Sequence, residues 1–123
     1  MGSRDRGTLG RRAEQQAYRY LLGHGLRPVA RNFRSRGGEI DLVMLDENCL
    51  AFVEVRYRSS RRFIDPQLTV DRVKQRKLVR TALLFTARNR HYANHVMRFD
   101  VVALAGDEIH WLKDAFRPDD VMT

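Results

Sequence analysis

Cysteine is nearly missing from this sequence. Cys49 is the only one, so the chain can close no internal disulfide and offers no cysteine-based zinc site. It sits in an apolar run, where a thiol behaves as a small hydrophobe. No stretch approaches the roughly 18 uninterrupted apolar residues that span a bilayer, and the first residues do not have the build of a signal peptide. A cytoplasmic location without membrane contact is the resulting expectation. Repeats, low-complexity tracts and inter-domain linkers are absent as well. So are a glycine-rich phosphate loop, a Ser-His-Asp arrangement and a dinucleotide fingerprint, which leaves no sign of a small-molecule cofactor. The scarcer charge is negative: fifteen Asp and Glu against 23 Lys and Arg give a net +8 and a pI near 10.5.

What is present suits one globular domain over residues 1–123, with an ordered core over about 9–116. Hydrophobic residues at 43% and charged residues at 31% exclude a disordered chain. A positive field draws polyanions, so nucleic acid is the first partner to consider; a merely soluble basic surface is the plain alternative.

Helical spacing of Ala13, Ala17, Tyr20 and Leu21 predicts a first helix over about Leu9–Gly23, stopped by Gly23-His24-Gly25. A short extended piece follows around Leu26–Asn32. Two strand-like runs, Glu39–Leu45 and Leu50–Tyr57, flank the turn-forming Asp46-Glu47-Asn48. Residues 58–68 read as a basic loop ending at Asp65-Pro66. Thr69 is the expected N-cap of a second helix reaching about Arg90, with Asp71 in its first turn. Met97–Ala105 and Glu108–Leu112 read as strands joined by Gly106-Asp107, and the tail from Arg117 is expected to fray. Helix, strands, helix, strands is the order of a mixed α/β sheet with helices packed on it.

The hairpin carries the chemistry. With Glu47-Asn48 at the centre of an even turn, opposed residues have numbers summing to 95. Asp41 then faces Glu54, Glu39 faces Arg56, and all four side chains share one side of the sheet. Glu39 with Arg56 is complementary. Asp41 with Glu54 is like-charged, in strands whose other members (Ile40, Leu42, Val43, Phe52, Val53, Val55) are apolar. Such a pair must share a proton, recruit cations or bind a metal. Oxygen-only ligands favour Mg²⁺ or Mn²⁺ over zinc. A metal there can activate water and stabilise a phosphodiester transition state. The plainer reading is local pairing with arginines.

These residues also resemble a known family. Gly38-Glu39-Ile40-Asp41-Leu42-Val43 and Phe52-Val53-Glu54-Val55-Arg56-Tyr57-Arg58 resemble the small, uncharacterised bacterial YraN-like proteins. So do Gly10-Arg11-Arg12-Ala13-Glu14, Val73-Lys74-Gln75-Arg76-Lys77-Leu78 and Arg98-Phe99-Asp100-Val101-Val102. The matches run in order from about Gly10 to Leu112. That family is similar in fold to the PD-(D/E)XK nucleases, above all the archaeal Holliday-junction resolvases, and the resemblance implies a restriction-endonuclease-like sheet flanked by helices. It puts Asp41 at the superfamily's Asp and Glu54-Val55-Arg56 at its Glu-X-Lys, with Glu14 matching a helix carboxylate that adds a metal contact. Catalytic roles for Asp41, Glu54 and Arg56 follow, with Asp41 and Glu54 as metal ligands and a site completed by Glu14, from the resemblance, or by Glu39, from the hairpin. Arg56 replaces the lysine. Its guanidinium stays protonated and orients or stabilises charge; Lys74 or Lys77 are substitutes from the second helix. Phe63 is followed by Ile64 where the family pattern suggests a glycine. Resolvases act as dimers, so a homodimer is allowed, although no clear dimer patch is visible.

For nucleic-acid contact, Arg72, Arg76 and Arg80 recur every four residues and form one helix stripe, with Lys74 and Lys77 close by. Like charges at that spacing burden a helix by about a few tenths of a kcal/mol each, which phosphates would relieve. Arg58, Arg61 and Arg62 follow the Glu54 strand. Contacts of this kind fix a duplex in place without reading its sequence. His24, His91 and His95 lack metal spacing and read as surface or packing residues. Asp100 is expected to pair with an arginine, and Trp111 to anchor the core or an edge. The leading expectation is a Mg²⁺- or Mn²⁺-dependent DNA endonuclease acting on branched or repair intermediates. A non-catalytic nucleic-acid-binding module and a protein-interaction adaptor are the alternatives.

Overall fold

The computed structural model describes the backbone of residues 2–58 and 70–122, and the side chains of 9–57 and 70–122. Helix α1 (Gly2–Gly23) is followed by strands β1 (Arg27–Ser35), β2 (Gly38–Asp46) and β3 (Cys49–Arg58), helix α2 (Arg72–Arg88), strands β4 (Val96–Ala105) and β5 (Glu108–Phe116), and a one-turn helix α3 (Pro118–Val121). The five strands lie in sequence order in one mixed sheet. Antiparallel hairpins join β1 to β2 and β2 to β3; β3 and β4 run parallel, bridged by the α2 crossover; β5 returns antiparallel on β4. This α/β architecture is consistent with a restriction-endonuclease-like fold.

Each face of the sheet carries its own core. Ala13, Ala17 and Leu21 of α1 pack on Leu42, Met44, Ala51, Val53, Val102 and Leu104. On the opposite face, Leu78, Val79, Ala82 and Phe85 of α2 meet Ile40, Val43, Leu50, Phe52, Phe99 and Val101. Strand β3 is buried on both faces, as expected of a central strand with a parallel neighbour. Among the described residues no helix is long and apolar enough to cross a membrane.

Helix ends follow their chemistry. Gly25, at φ 90°, lets the Leu26 and Gly25 amides return to the carbonyls of Leu21 and Leu22, closing α1 with a Schellman turn. Helix α2 starts later than expected. Thr69 lies outside the described residues, and Asp71 is the N-cap, its carboxylate accepting the Lys74 amide at 2.8 Å. The helix closes at Arg88, and Arg90–Tyr92 form a separate 3-10 turn. The tail does not fray. Pro118 opens α3, Asp119 and Asp120 occupy its first turn, and Val121 is buried against the α2 core. Arg72 and Arg76 donate to the carbonyls of Asp120 and Val121, so two arginines of the α2 stripe hold this last turn.

The hairpin register is the even one, running from Asp46↔Cys49 to Leu42↔Val53 around Glu47-Asn48, with Glu47 at φ 55°. Gly38 brings β2 against α2: a Cβ there would come within 3.0 Å of Thr81 Oγ1.

Candidate metal and phosphate site

Ladder pairing between β2 and β3 runs to Leu42↔Val53, and the acids lie just past it. Beyond that point the Asp41 side chain takes over a backbone role: its Oδ2 accepts the Val55 amide at 2.8 Å. The amide of a central strand is thereby satisfied, as a buried donor must be. The carboxylate is held at the sheet's end beside Glu54. The expected partnership of Glu39 with Arg56 does not form. Glu39 instead lies 3.5 Å from Arg34 Nε on β1, and Arg56 Nε lies 3.5 Å from Glu54 Oε2. The reason is register: Arg34 pairs with Glu39 across the β1–β2 ladder.

Four carboxylates from three elements converge here. Glu14 comes from α1, Glu39 and Asp41 from β2, and Glu54 from β3. One oxygen each from Glu14, Glu39 and Asp41 lies within 4.8 Å of the other two. Glu54 is 4% exposed and pairs with Lys74 Nζ at 2.5 Å. Burial first, then the adjacent Glu54 charge, push the Asp41 carboxyl up from 3.8 to about 8; the Val55 amide opposes the rise, and Glu14 adds to it. At neutral pH this aspartate holds a proton. A hard cation can replace that proton, because the donor set is all oxygen and its atoms are already gathered.

Asn32 is a site residue that sequence reading missed. At φ 52°, a conformation asparagine tolerates better than most residues, its Nδ2 donates to Glu14 Oε1 at 2.9 Å and Glu39 Oε1 at 3.2 Å. One amide group thus ties the helix acid to the strand acid. An asparagine inside a strand-like run was the only available signal.

Glu14, Asp41 and Glu54 line a cleft of about 260 Å³ whose walls also carry Arg56, Tyr57 and Lys74, while Glu39 opens onto the adjoining groove with Glu14, Asn32 and Arg34. Arg56 Nε is buried without a hydrogen-bond partner among the described residues, its 3.5 Å approach to Glu54 being a charge contact only. Acidic floor and basic wall together suit a divalent cation and the phosphate it would neutralise. Of the lysine substitutes, Lys74 reaches Glu54, while Lys77 is exposed in a neighbouring groove beside Gly38 and Glu39. Arg80 is exposed on α2. The side chain of Arg58, and Arg61 and Arg62 altogether, lie outside the described residues, as do Phe63 and Ile64.

Other sequence candidates lie elsewhere. Asp100, level with Val53 on β4, pairs with Arg98, and Trp111 packs against the α1 core while donating to Asp100. His91 and His95 pack around Tyr92.

A family model described as "Uncharacterised protein family UPF0102" matches residues 13–104. A UPF0102 protein of Pseudomonas putida is 50% identical over 112 residues, covering 87% of this chain and 91% of that one. One from Halorhodospira halophila is 48% identical over 110 residues, covering 89% and 88%. The UPF0102 protein YraN of Escherichia coli is 51% identical over 104 residues, covering 84% and 79%.

Proposed function

The chain belongs to the UPF0102 family, and for this member we propose a divalent-metal-dependent endonuclease that hydrolyses DNA phosphodiesters, with branched or repair intermediates as substrates. One observation carries the reading: Asp41, Glu54 and Glu14 line one cleft with Lys74 and with Arg56, whose Nε is buried without a hydrogen-bond partner among the described residues, and Glu39 brings an oxygen within 4.8 Å of those of Glu14 and Asp41 from the adjoining groove. Carboxylates alone would be a cation site. With two cations beside them they form a place for a phosphate.

In this reading Glu14, Glu39 and Asp41 hold Mg²⁺ or Mn²⁺, with Glu54 adjoining. The ion supplies Lewis acidity toward a phosphoryl oxygen and a water of lowered pKa. The chain's own groups do the rest. Arg56, whose Nε lies beside Glu54, would orient a phosphate oxygen or the attacking water through its guanidinium without moving a proton. Lys74 brings what guanidinium lacks, a compact ammonium with three rotatable donors, held in place by Glu54. Asn32 keeps Glu14 and Glu39 together. Arg80, Lys77 and the arginines at 58, 61 and 62 are the candidates for backbone contacts along the duplex. Arg72 and Arg76 are weaker candidates, since both serve α3.

A second reading has one observation in its favour. Lys74 and Arg56 already neutralise Glu54, so the cluster can persist as a folded, non-catalytic nucleic-acid-binding site. Purified protein on linear, nicked, flapped and four-way DNA, with Mn²⁺ and with chelator, separates the two. The endonuclease cuts only with metal and loses cutting in an Asp41→Ala/Glu54→Ala double variant. Salt-sensitive binding without cutting favours the second reading. Equal cutting in chelator sinks the first.

A further inference from the structure

A second, larger cleft opens beside the acidic one. It encloses about 430 Å³ and is lined by Leu9, Arg12, Gln15, Gln16 and Tyr57 as well as Ala13. Ala13 and Tyr57 line both clefts, so the two are neighbours along the N-terminal half of α1. Alternation at the end of β3 explains the arrangement. Glu54 and Arg56 project to one side, whereas Val53, Val55 and Tyr57 project toward α1. Tyr57 therefore stands between the carboxylates and the second cleft, with 38% of its surface exposed.

The lining has a definite chemistry. Tyr57 offers an aromatic face; Leu9 and Ala13 offer apolar surface. The glutamines carry amide donors and acceptors, and Arg12 carries a cation. Gln15 spends its oxygen on Arg31 at 3.1 Å, leaving its donors. The cleft's lining also includes Gly106 of the β4–β5 turn, at φ 59°. Apolar and amide surface beside an aromatic ring, with a cation nearby, is what an unstacked nucleobase needs: a ring to stack on, edge hydrogen bonds and a phosphate contact. A paired base cannot enter, because its faces and its edge are already taken by the duplex.

We propose that this second cleft is a nucleobase subsite, which takes an unpaired base from the strand whose phosphate lies over the carboxylates. The inference rests on the endonuclease reading and narrows it: the substrate class is single-stranded or splayed nucleic acid. Intact duplex is excluded.

The test uses full-length protein with Ca²⁺ in place of Mg²⁺. The probes are a single-stranded oligonucleotide bearing one 2-aminopurine and the same sequence fully paired. The single strand binds about tenfold or more tightly than the duplex, and its fluorescence changes on binding. Tyr57→Ala weakens single-strand binding about tenfold, while Tyr57→Phe stays within about twofold, since the ring is what stacks. Gln16→Leu, at an exposed position that cannot unfold the chain, weakens single-strand binding and leaves duplex binding alone. Equal affinity for both probes, or loss of binding in Tyr57→Phe as large as in Tyr57→Ala, overturns the subsite. The two readings fail separately. Tyr57-dependent fluorescence without cleavage of any DNA in Mn²⁺ removes the endonuclease and keeps the subsite. Metal-dependent cleavage of intact duplex, indifferent to Tyr57→Ala, does the reverse.

Discussion

Asp41 and Asp100 are aspartates on neighbouring parts of one sheet, and their surroundings differ in nearly every respect. Asp100 is 1% exposed and accepts four hydrogen bonds, two from Arg98 at 2.8 and 2.9 Å and one each from Trp111 Nε1 and the Asp114 amide at 3.0 Å. Asp46 grips the same Arg98 at 3.0 Å, so the guanidinium is held firmly in its charged form. Every lone pair there has its donor. Asp41 takes the Val55 amide as its backbone donor and otherwise faces Glu54 and Glu14 among the described residues. A satisfied buried carboxylate is a structural part. One surrounded by its own kind is waiting for a cation or a proton.

Exchanging the fates of the two aspartates is the severest trial. Asp100→Ala strands Arg98 and Trp111 and is expected to cost about 3–5 kcal/mol of stability, read by urea denaturation. Asp41→Asn, whose Oδ1 still accepts the Val55 amide, leaves metal-free stability at neutral pH unchanged or higher, and lowers Mn²⁺-dependent cleavage by about a thousandfold. A large stability loss in Asp41→Asn would erase the distinction.

The pH dependence sharpens it. Native Asp41 keeps its proton to about 8, whereas the unfolded chain releases it near 3.8. The folded state thus binds the extra proton between these values, and stability declines as pH rises through that window. Denaturation in chelator at pH 5 and pH 8.5 measures the decline. Asp41→Asn flattens its contribution. Divalent cation has to displace the same proton, so apparent metal affinity climbs with pH toward about 8, with proton release near pH 7 visible by calorimetry in two buffers.

A smaller effect concerns the basic wall. Lys74→Met removes the ammonium from buried Glu54 and is expected to cost about 1–2 kcal/mol, recovered in part by adding Glu54→Gln. Non-additivity of the two changes in a double-mutant cycle reports the coupling. The smallest expected loss is in Gly38→Ala, about 1 kcal/mol in thermal melts, because the new methyl presses on Thr81 where α2 approaches β2. Gly37→Ala, with nothing within 4 Å, is the matched control.

Much of this was readable from residues alone, for reasons that can be named. Counting outward from Glu47-Asn48 set the register, since a two-residue turn leaves no freedom in which residues oppose. That was enough to put Asp41 beside Glu54. It was not enough for Glu39. Register arithmetic assumes that the ladder continues, and nothing local says that β2 and β3 stop pairing at Leu42 and Val53 or that Arg34 claims Glu39 instead. The Asn32 bridge depends on one unusual backbone angle, which no spacing rule contains. The arginine stripe showed its periodicity but not its partner, because α3 arrives from the far end of the chain. Helix α3, expected to be a frayed tail, forms because a proline followed by two acids is a helix-start signature and Val121 finds a place in the α2 core.

The hydrogen bond from the Val55 amide to Asp41 has a practical consequence. That amide is an internal probe of the carboxylate's charge, placed by the fold and needing no label. Its proton resonance should move as Asp41 ionises and again when a cation binds. Followed by NMR across pH, a single backbone peak would trace the occupancy of the whole acidic cluster.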